Sequence, residues 1–455
     1  MNEEVKAAVE YLRQQWKSGV TGDPKGRIAK LRELLATLQV NEEKVLDALN
    51  FDLGKCFYEG YLSELAQVYS ACRQAIRKLP HWQKPKKLYS LIATGKYEVR
   101  HQPYGVVLIM VPFNYPVLLA LLPLIAAVAA GNCVLLRFSS ETPTVAACLA
   151  GIMKKSGLDK QVVVLPGTVE NRDTLLNEKY DYIFFTGSQK TGQTVLSKAA
   201  KTFTPVTLEM GGKSPCIIDS SINIEVAARR VLFGKLLNAG QTCVAPDYLV
   251  IDKKIIEPFI TALLKQKKAM IQELEDPTWP PIINEGAYRR LKSYLSDCRI
   301  IFGGGYDDEK RKLELTLIIP DTWKHPALHD EIFGPILPLI TYESYEELLE
   351  IIRVNPDPLA LYVFSNNKGF AKKVLNDITY GGACVNDTIL QLANNNVPFG
   401  GIGKSGMGSY HGIYGFRTFS KPTTILNKRL KGDFQMRFRP YNSNYKKIKK
   451  FMKGN

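Results

Sequence analysis

Apolar residues recur every three or four positions at the start of the chain. Val5, Val9, Leu12 and Trp16 share one face, and Ile28, Leu31, Leu35 and Leu38 share another, which predicts amphipathic helices. The first 80 residues read as helical throughout. Between residues 86 and 101 two short strand-like runs flank Thr94-Gly95-Lys96 and predict a β-excursion. Gly105 to Leu136 is the most apolar stretch. Pro112, Asn114, Pro116 and Pro123 interrupt it, and no unbroken run reaches the roughly 20 apolar residues that a membrane span needs. Val106–Val111 reads as a buried parallel strand, Val117–Ala130 as a buried helix, Gly131-Asn132 as its stop and Cys133–Phe138 as the next strand. The alternation continues with a helix over Val145–Ser156, a strand over Gln161–Leu165, a turn at Pro166-Gly167, a strand over Asp181–Phe185 and a helix over Gln189–Lys201. This is the pattern of a doubly wound α/β sheet, which binds ligands beyond the C-terminal ends of its strands. A second α/β stretch covers about residues 209–415. No internal repeat or low-complexity segment is visible.

Composition changes this picture in three places. A chain of 455 residues is too long for one simple core, so at least two domains are expected, and 45% hydrophobic with 23% charged residues is an ordinary soluble composition. The 8 cysteines form no CxxC pair and have no close histidine spacing, which argues against a zinc site or a disulfide framework. The N-terminal Met1-Asn-Glu-Glu-Val-Lys run has no apolar signal core, so a reducing cytoplasm is the expected setting.

The net charge of +16 first suggests nucleic acid, but it is concentrated at one end. Lys421 to Asn455 holds 11 Lys/Arg and one Asp, a net of +10, which leaves +6 for the first 420 residues. The tail interleaves these charges with Phe434, Phe438, Tyr441, Tyr445, Ile448, Phe451 and Met452. It reads either as a solvated segment packing weakly on a partner subunit or as a basic surface for an anionic membrane.

Candidate chemistry centres on Cys243, within Asn238-Ala-Gly-Gln-Thr-Cys-Val-Ala-Pro-Asp247. Small and polar neighbours suit a thiolate that meets a substrate, although a buried structural thiol is the plain alternative. Phe185-Thr-Gly-Ser-Gln-Lys-Thr-Gly192 lies between a strand and a helix, where Gly187 permits a tight turn and the helix start offers free N–H groups to a phosphate. Its spacing is neither GxGxxG nor a P-loop, so an ordinary βα turn stays open. Glu209 closes an apolar strand before Gly211-Gly212. It is either a desolvated general base or a helix-capping or ion-pairing acid, with Lys213 as the nearest candidate partner. Asn114 follows a buried strand, as an oxyanion donor or as a turn residue. Glu331 sits in Glu331-Ile-Phe-Gly-Pro335, a turn carrying an acid.

Together with Val397-Pro-Phe-Gly-Gly-Ile-Gly-Lys-Ser-Gly406, these segments closely resemble the aldehyde dehydrogenase superfamily. Cys243-Val-Ala-Pro-Asp and Gly406-Met-Gly-Ser-Tyr-His-Gly412 resemble its class 3 branch, the fatty and aromatic aldehyde dehydrogenases. The resemblance covers about residues 5–430. It implies NAD(P)-dependent oxidation of aldehydes to carboxylic acids. The Cys243 thiolate would attack the carbonyl, with the oxyanion held by the Asn114 amide and the Cys243 backbone N–H. A thioester would follow hydride transfer, and Glu209 would activate the water that releases the acid, with Glu331 a second candidate for that base. Thr186, Gly187, Ser188, Gly192 and Phe333 would serve the dinucleotide, Glu331 its nicotinamide ribose, and Phe399 the ring. The implied fold is α/β. It has a Rossmann-like dinucleotide-binding domain (1–81 and 102–208), an α/β catalytic domain (209–415), a small β oligomerisation arm (82–101 and 416–430) and a basic tail (431–455). A homodimer is the implied assembly.

The chain departs from the family pattern at Arg137-Phe-Ser-Ser-Glu141, where relatives usually show Lys-Pro-Ser-Glu. Arg137 keeps a charge with a fork suited to phosphate, and Ser140 lacks the carboxylate that would repel a 2′-phosphate, unless Glu141 takes its place. This predicts that NADP is accepted alongside NAD. Two other classes compete: a basic membrane-surface or nucleic-acid-binding protein, and a cofactor-independent cysteine hydrolase. The first leaves Glu209 and Cys243 unexplained. The second needs a histidine base, and none of His81, His101, His325, His329 and His411 has such a context. His411 reads as a structural residue in a glycine-rich turn or as a residue of the substrate mouth.

Overall fold

The computed structural model describes residues 2–90, 95–167, 174–430, 438–441 and 444–453. The helices expected from the apolar stripes form at Asn2–Lys17 and Pro24–Val40, with Leu31, Leu34 and Leu38 buried. The apolar stretch does not span a membrane. It splits into the strand Val106–Met110, buried at every residue, and the helix Pro116–Ala130, buried everywhere except Leu118. Such full burial suits a parallel strand and a helix covered on all sides, and each large aliphatic side chain contributes about 1.5–3 kcal/mol. Gly131 ends this helix in a left-handed conformation (φ 97°). Asn132 does more than stop the helix: its side chain accepts from the Gly105 N–H (3.0 Å) and donates to the Phe419 carbonyl (2.9 Å).

Residues 1–82 and 103–421 form one unit that contains two sheets. The first runs in the order Gly406–Met407, Val206–Met210, Tyr182–Gly187, Val106–Met110, Cys133–Arg137, Val162–Leu165. Its five longer strands are parallel, and in chain order they lie 3-2-1-4-5. The chain therefore leaves Val106–Met110 in one direction along the sheet and returns to its other side at Tyr182–Gly187. The C-terminal ends of these two neighbours border a topological switch point, where open α/β sheets bind ligands. Gly406–Met407 arrives from far along the chain and pairs antiparallel with Leu208 and Glu209.

The second sheet runs Cys298–Phe302, Thr316–Pro320, Ile336–Tyr342, Tyr248–Asp252, Pro215–Ile218, Ala360–Phe364, Gly382–Val385, with only the first pair antiparallel. Residues 83–102 and 422–455 form a separate unit. The strands Lys86–Ser90 and Gly95–Pro103 pair antiparallel, as the β-excursion predicts, and Ser420–Asn427 completes a three-stranded sheet. Thr94 of the expected turn and Phe434 of the tail lie outside the described residues. The helix Asn444–Lys453 places Tyr445, Ile448 and Met452 at helical spacing among five lysines. Among the described residues no helix is long and apolar enough to cross a membrane.

Candidate active site

The loop that carries Cys243 follows the helix Ile224–Leu236. Asn238, Ala239 and Gly240 all have positive φ (53°, 50° and 75°), a run costly for the two non-glycine residues. The surrounding hydrogen bonds compensate. Glu59 accepts the Asn238 N–H (2.7 Å), and the Asn238 amide donates to the carbonyls of Asn114 and Gln241 (3.2 Å each). The Gln241 amide donates to the Asn238 and Pro281 carbonyls (3.2 and 3.1 Å), and Thr242 bonds the Tyr115 hydroxyl (2.7 Å).

Asn114 is held from the other side. Its Nδ2 donates to the Gln241 carbonyl (3.1 Å), one residue from Thr242-Cys243, which leaves a second N–H on the same nitrogen. Its own carbonyl accepts from Lys55 Nζ (2.9 Å), and Lys55 is fully buried against Glu64 (2.6 Å). Glu64 in turn accepts the N–H groups of Val117 and Leu118, capping the positive end of the helix Pro116–Ala130.

Two cavities meet at Cys243. The first, about 410 Å³, is lined by Asn114, Thr186, Ser188, Glu209, Glu331 and Phe333 among others. The second, about 200 Å³, is lined mainly by apolar side chains, including Leu62, Leu118, Leu122, Phe233, Val244 and Leu390. Cys243, Leu119, Phe399 and Tyr410 border both. Position distinguishes Cys243 from the other thiols, whereas acidity does not. Burial pushes Cys72 and Cys133 up to about 12, and Cys243 is also pushed up to about 12, by burial first and then by the Glu331 and Glu209 carboxylates. Backbone N–H groups of Cys243 and Val244 act in the opposite direction and favour the thiolate.

Glu209 is buried in its strand, and neither carboxylate oxygen has a hydrogen-bond partner among the described residues. Desolvation raises its pKa well above the ordinary carboxylate value. The alternative pairing with Lys213 is not formed. Lys213 is ion-paired with Asp247, which also accepts the Ile332 N–H (3.0 Å). Glu331 is raised to about 8, by burial and then by Asp247, with Lys213, the Gly212 N–H and Arg290 opposing. It packs so closely on Gly211 that a Cβ there would collide with both carboxylate oxygens. Arg290 fixes its main chain, donating to the carbonyls of Glu331 (3.1 Å) and Ile332 (2.9 Å).

The remaining sequence candidates divide. Thr186, Gly187, Ser188, Phe333 and Phe399 line the first cavity. Ser188 also caps the helix Gln189–Ala200, accepting the Thr191 N–H (3.4 Å). Gly187 has no positive φ; a Cβ there would strike the Phe185 ring, so close packing rather than a left-handed turn requires glycine. Gly192 is buried against Met210, and neither it nor Arg137 nor Ser140 lines the cavity. Arg137 ends its strand, half-buried, and Ser140 is exposed. The Glu141 carboxylate accepts from Asn284 (3.0 Å), which lines the first cavity. His411 lines the apolar cavity and stacks on Phe399 (5.5 Å, 19°). Burial holds it neutral, its pKa lowered to about 4.

Sequence reading missed Lys55, Glu64, Arg290 and Lys235. Lys235 is fully buried near Asp247, Lys213 and Glu331, with its pKa lowered to about 8. Arg290 and Glu331 are far apart in sequence, and a buried lysine leaves no trace in a polar–apolar pattern.

The first cavity fits a dinucleotide. It combines the start of a 12-residue helix with a buried Thr186 hydroxyl and a Glu331 oxygen that have no partners among the described residues. The model of the aldehyde dehydrogenase family matches residues 1–425. The chain belongs to the aldehyde dehydrogenase family. It is 39% identical over 441 residues to a 4,4'-diaponeurosporen-aldehyde dehydrogenase of Staphylococcus aureus, covering 95% of this chain and 96% of that one. It is 36% identical to a dimeric, NADP-preferring aldehyde dehydrogenase of Rattus norvegicus, over 94% of this chain and 95% of the other. A solved substrate-bound state of Staphylococcus aureus AldH superposes with a TM-score of 0.95 at 37% identity, over 98% of this chain and 99% of that one. The enzyme therefore carries out NAD(P)-dependent aldehyde oxidation.

Proposed function

We propose that the enzyme oxidises aldehydes with apolar aliphatic or aromatic chains to carboxylic acids through covalent intermediates on Cys243. The observation that carries this reading is the position of Cys243 where the polar and apolar cavities meet. An aldehyde entering from the apolar side presents its carbonyl to the thiol, while the face toward Glu209 and Glu331 is left for the dinucleotide. A panel of aldehydes of increasing chain length tests it: kcat/KM should rise with length until the apolar cavity is filled. A flat series, or a preference for the shortest and most polar aldehydes, would contradict the substrate class.

The chain's residues take these roles. The Cys243 thiol gives its proton to a neighbouring carboxylate, and its sulfur bonds the carbonyl carbon as the C=O electron pair moves to oxygen. That oxygen is held by the free N–H of Asn114 Nδ2 and by the Cys243 backbone N–H. When bound, the nicotinamide supplies the hydride acceptor that turns the thiohemiacetal into a thioester. Glu209 then takes a proton from the water that cleaves the thioester and restores the thiol. Both oxygens of Glu209 lack partners among the described residues, against one of Glu331, which is pressed against Gly211, and this favours Glu209. Asn114→Ala should lower kcat about 100- to 1,000-fold with a smaller change in KM. Equal kcat in that variant would remove Asn114 from the oxyanion site.

Arg137 and Ser140 support acceptance of NADP alongside NAD. Ser140→Glu should lower kcat/KM for NADP at least about tenfold relative to NAD, through repulsion of a 2′-phosphate. An unchanged ratio would locate selectivity elsewhere. The proposed organisation keeps the domain division given by the resemblance, with residues 82–101 and 416–430 as the arm of a homodimer, which sedimentation velocity checks. The lysines of Asn444–Lys453 support weak contact with an anionic membrane surface, to be checked by co-sedimentation with and without residues 431–455.

A further inference from the structure

The apolar cavity opens through a rim that is itself apolar. Leu62, Phe233 and Leu390 line the cavity and are also substantially exposed, Leu390 at 51%. Tyr61 and Tyr58 extend this surface along the same helical segment, and Tyr58 is 78% exposed. Large exposed apolar side chains gathered around one opening mark an interaction surface rather than scattered solvent-facing residues.

Basic side chains stand beside this rim, and the acid three residues before Leu390, Asp387, is paired with Arg230 (3.8 Å). Tyr61 packs edge-on against Tyr69 (6.4 Å), and the Arg73 guanidinium lies over the Tyr69 ring (5.9 Å). Arg73 and Arg77 stand one turn apart and line a polar hollow that shares Ala393 with the apolar cavity. The neighbouring carboxylates are engaged inside the protein. Glu59 accepts the Asn238 N–H, Glu64 pairs with buried Lys55, and Glu42 accepts the Tyr69 hydroxyl (2.9 Å). Exposed tyrosine and leucine flanked by arginine is the composition that settles at a lipid–water boundary, with aliphatic groups among acyl chains and guanidinium groups at headgroup phosphates.

We propose that the mouth of the apolar cavity docks on an anionic lipid bilayer, so that long-chain aldehydes pass from the membrane to Cys243 without crossing water. This rests on the aldehyde dehydrogenase reading and adds the phase from which the substrate is drawn. The surface is separate in sequence from the basic tail.

The test uses the full chain with a long-chain aldehyde carried in vesicles, either phosphatidylcholine alone or with about one-third phosphatidylglycerol, and hexanal in solution as reference. Oxidation of the vesicle-borne aldehyde should be faster with the anionic lipid. Arg73→Glu with Arg77→Glu, and separately Tyr58→Ser, should lower that rate, the double variant by about tenfold or more, with hexanal kinetics unchanged. Equal rates on both vesicle types, or full vesicle activity in the double variant, would overturn the proposal, including the case in which the tail alone binds the vesicles. A change in solution mass of the Tyr58 variant would assign the rim to contact between copies of this chain and also overturn it. Failure of the wild type to oxidise hexanal would instead strike at the dehydrogenase reading itself.

Discussion

Cys243→Ala abolishes aldehyde oxidation and leaves dinucleotide binding in place: this is the largest effect expected. The side chain borders both cavities, whereas the groups that suit the dinucleotide, Thr186, Ser188 and Glu331, belong to other segments. Loss of the sulfur removes the bond-forming atom without disturbing them. Steady-state formation of reduced nicotinamide should fall by at least about a thousandfold, as for other covalent nucleophiles. The dissociation constant for the dinucleotide, followed by fluorescence titration, should change less than about threefold, since no contact to it is lost. Substantial residual turnover would mean that a group other than Cys243 attacks the carbonyl.

Glu209→Gln is expected to divide the reaction. Gln keeps the shape and burial but cannot take a proton, so thioester formation can proceed once while hydrolysis stalls. Rapid mixing should show a burst of about one reduced nicotinamide per active site, followed by a steady state lowered about 100- to 10,000-fold. The sign of the pH effect follows from the raised pKa of Glu209. Only the ionised form accepts a proton, so the wild-type steady-state rate rises with pH as Glu209 ionises. That limb should disappear in the Gln variant. Were Glu331 the base, Glu331→Gln would remove the limb instead, and it would lie near 8. Stability moves the opposite way. The folded protein holds the Glu209 proton above the ordinary value of 4.5, so Glu209 is least destabilising below that value, and stability falls as pH rises through the raised pKa. The Gln variant should therefore gain stability relative to the wild type as pH increases, which denaturant melts at several pH values would reveal.

Much of the fold was legible in the chain because one physical rule wrote it. Buried parallel strands must be apolar throughout and their connecting helices must cover them, so Val106–Met110, Pro116–Ala130 and Cys133–Arg137 could be placed within a few residues. Boundaries slipped where a cap rather than a pattern decides them, as at Pro143–Lys155, which begins at a proline suited to the first helical turn. Asn114 and Glu209 stood out because each polar group follows or closes an apolar run, Cys243 because of its small and polar neighbours, and Glu331 only through the family resemblance. Sequence proximity offered Lys213 as an alternative partner for Glu209, while the ion pair forms with Asp247, 34 residues away.

The sequence by itself determined the α/β class and the family and named the candidate reactive groups, because those depend on local periodicity and on residue types in short motifs. Only the tertiary structure decided which groups share a site. Strand order brings the ends of Val106–Met110 and Tyr182–Gly187 together, and parallel pairing sets Glu209 beside Thr186. The buried Lys55–Glu64 pair holds Asn114 against the cysteine loop, 127 residues away in sequence. Contacts across such separations arise from packing whole elements, and no short window of sequence contains the free energy that selects them.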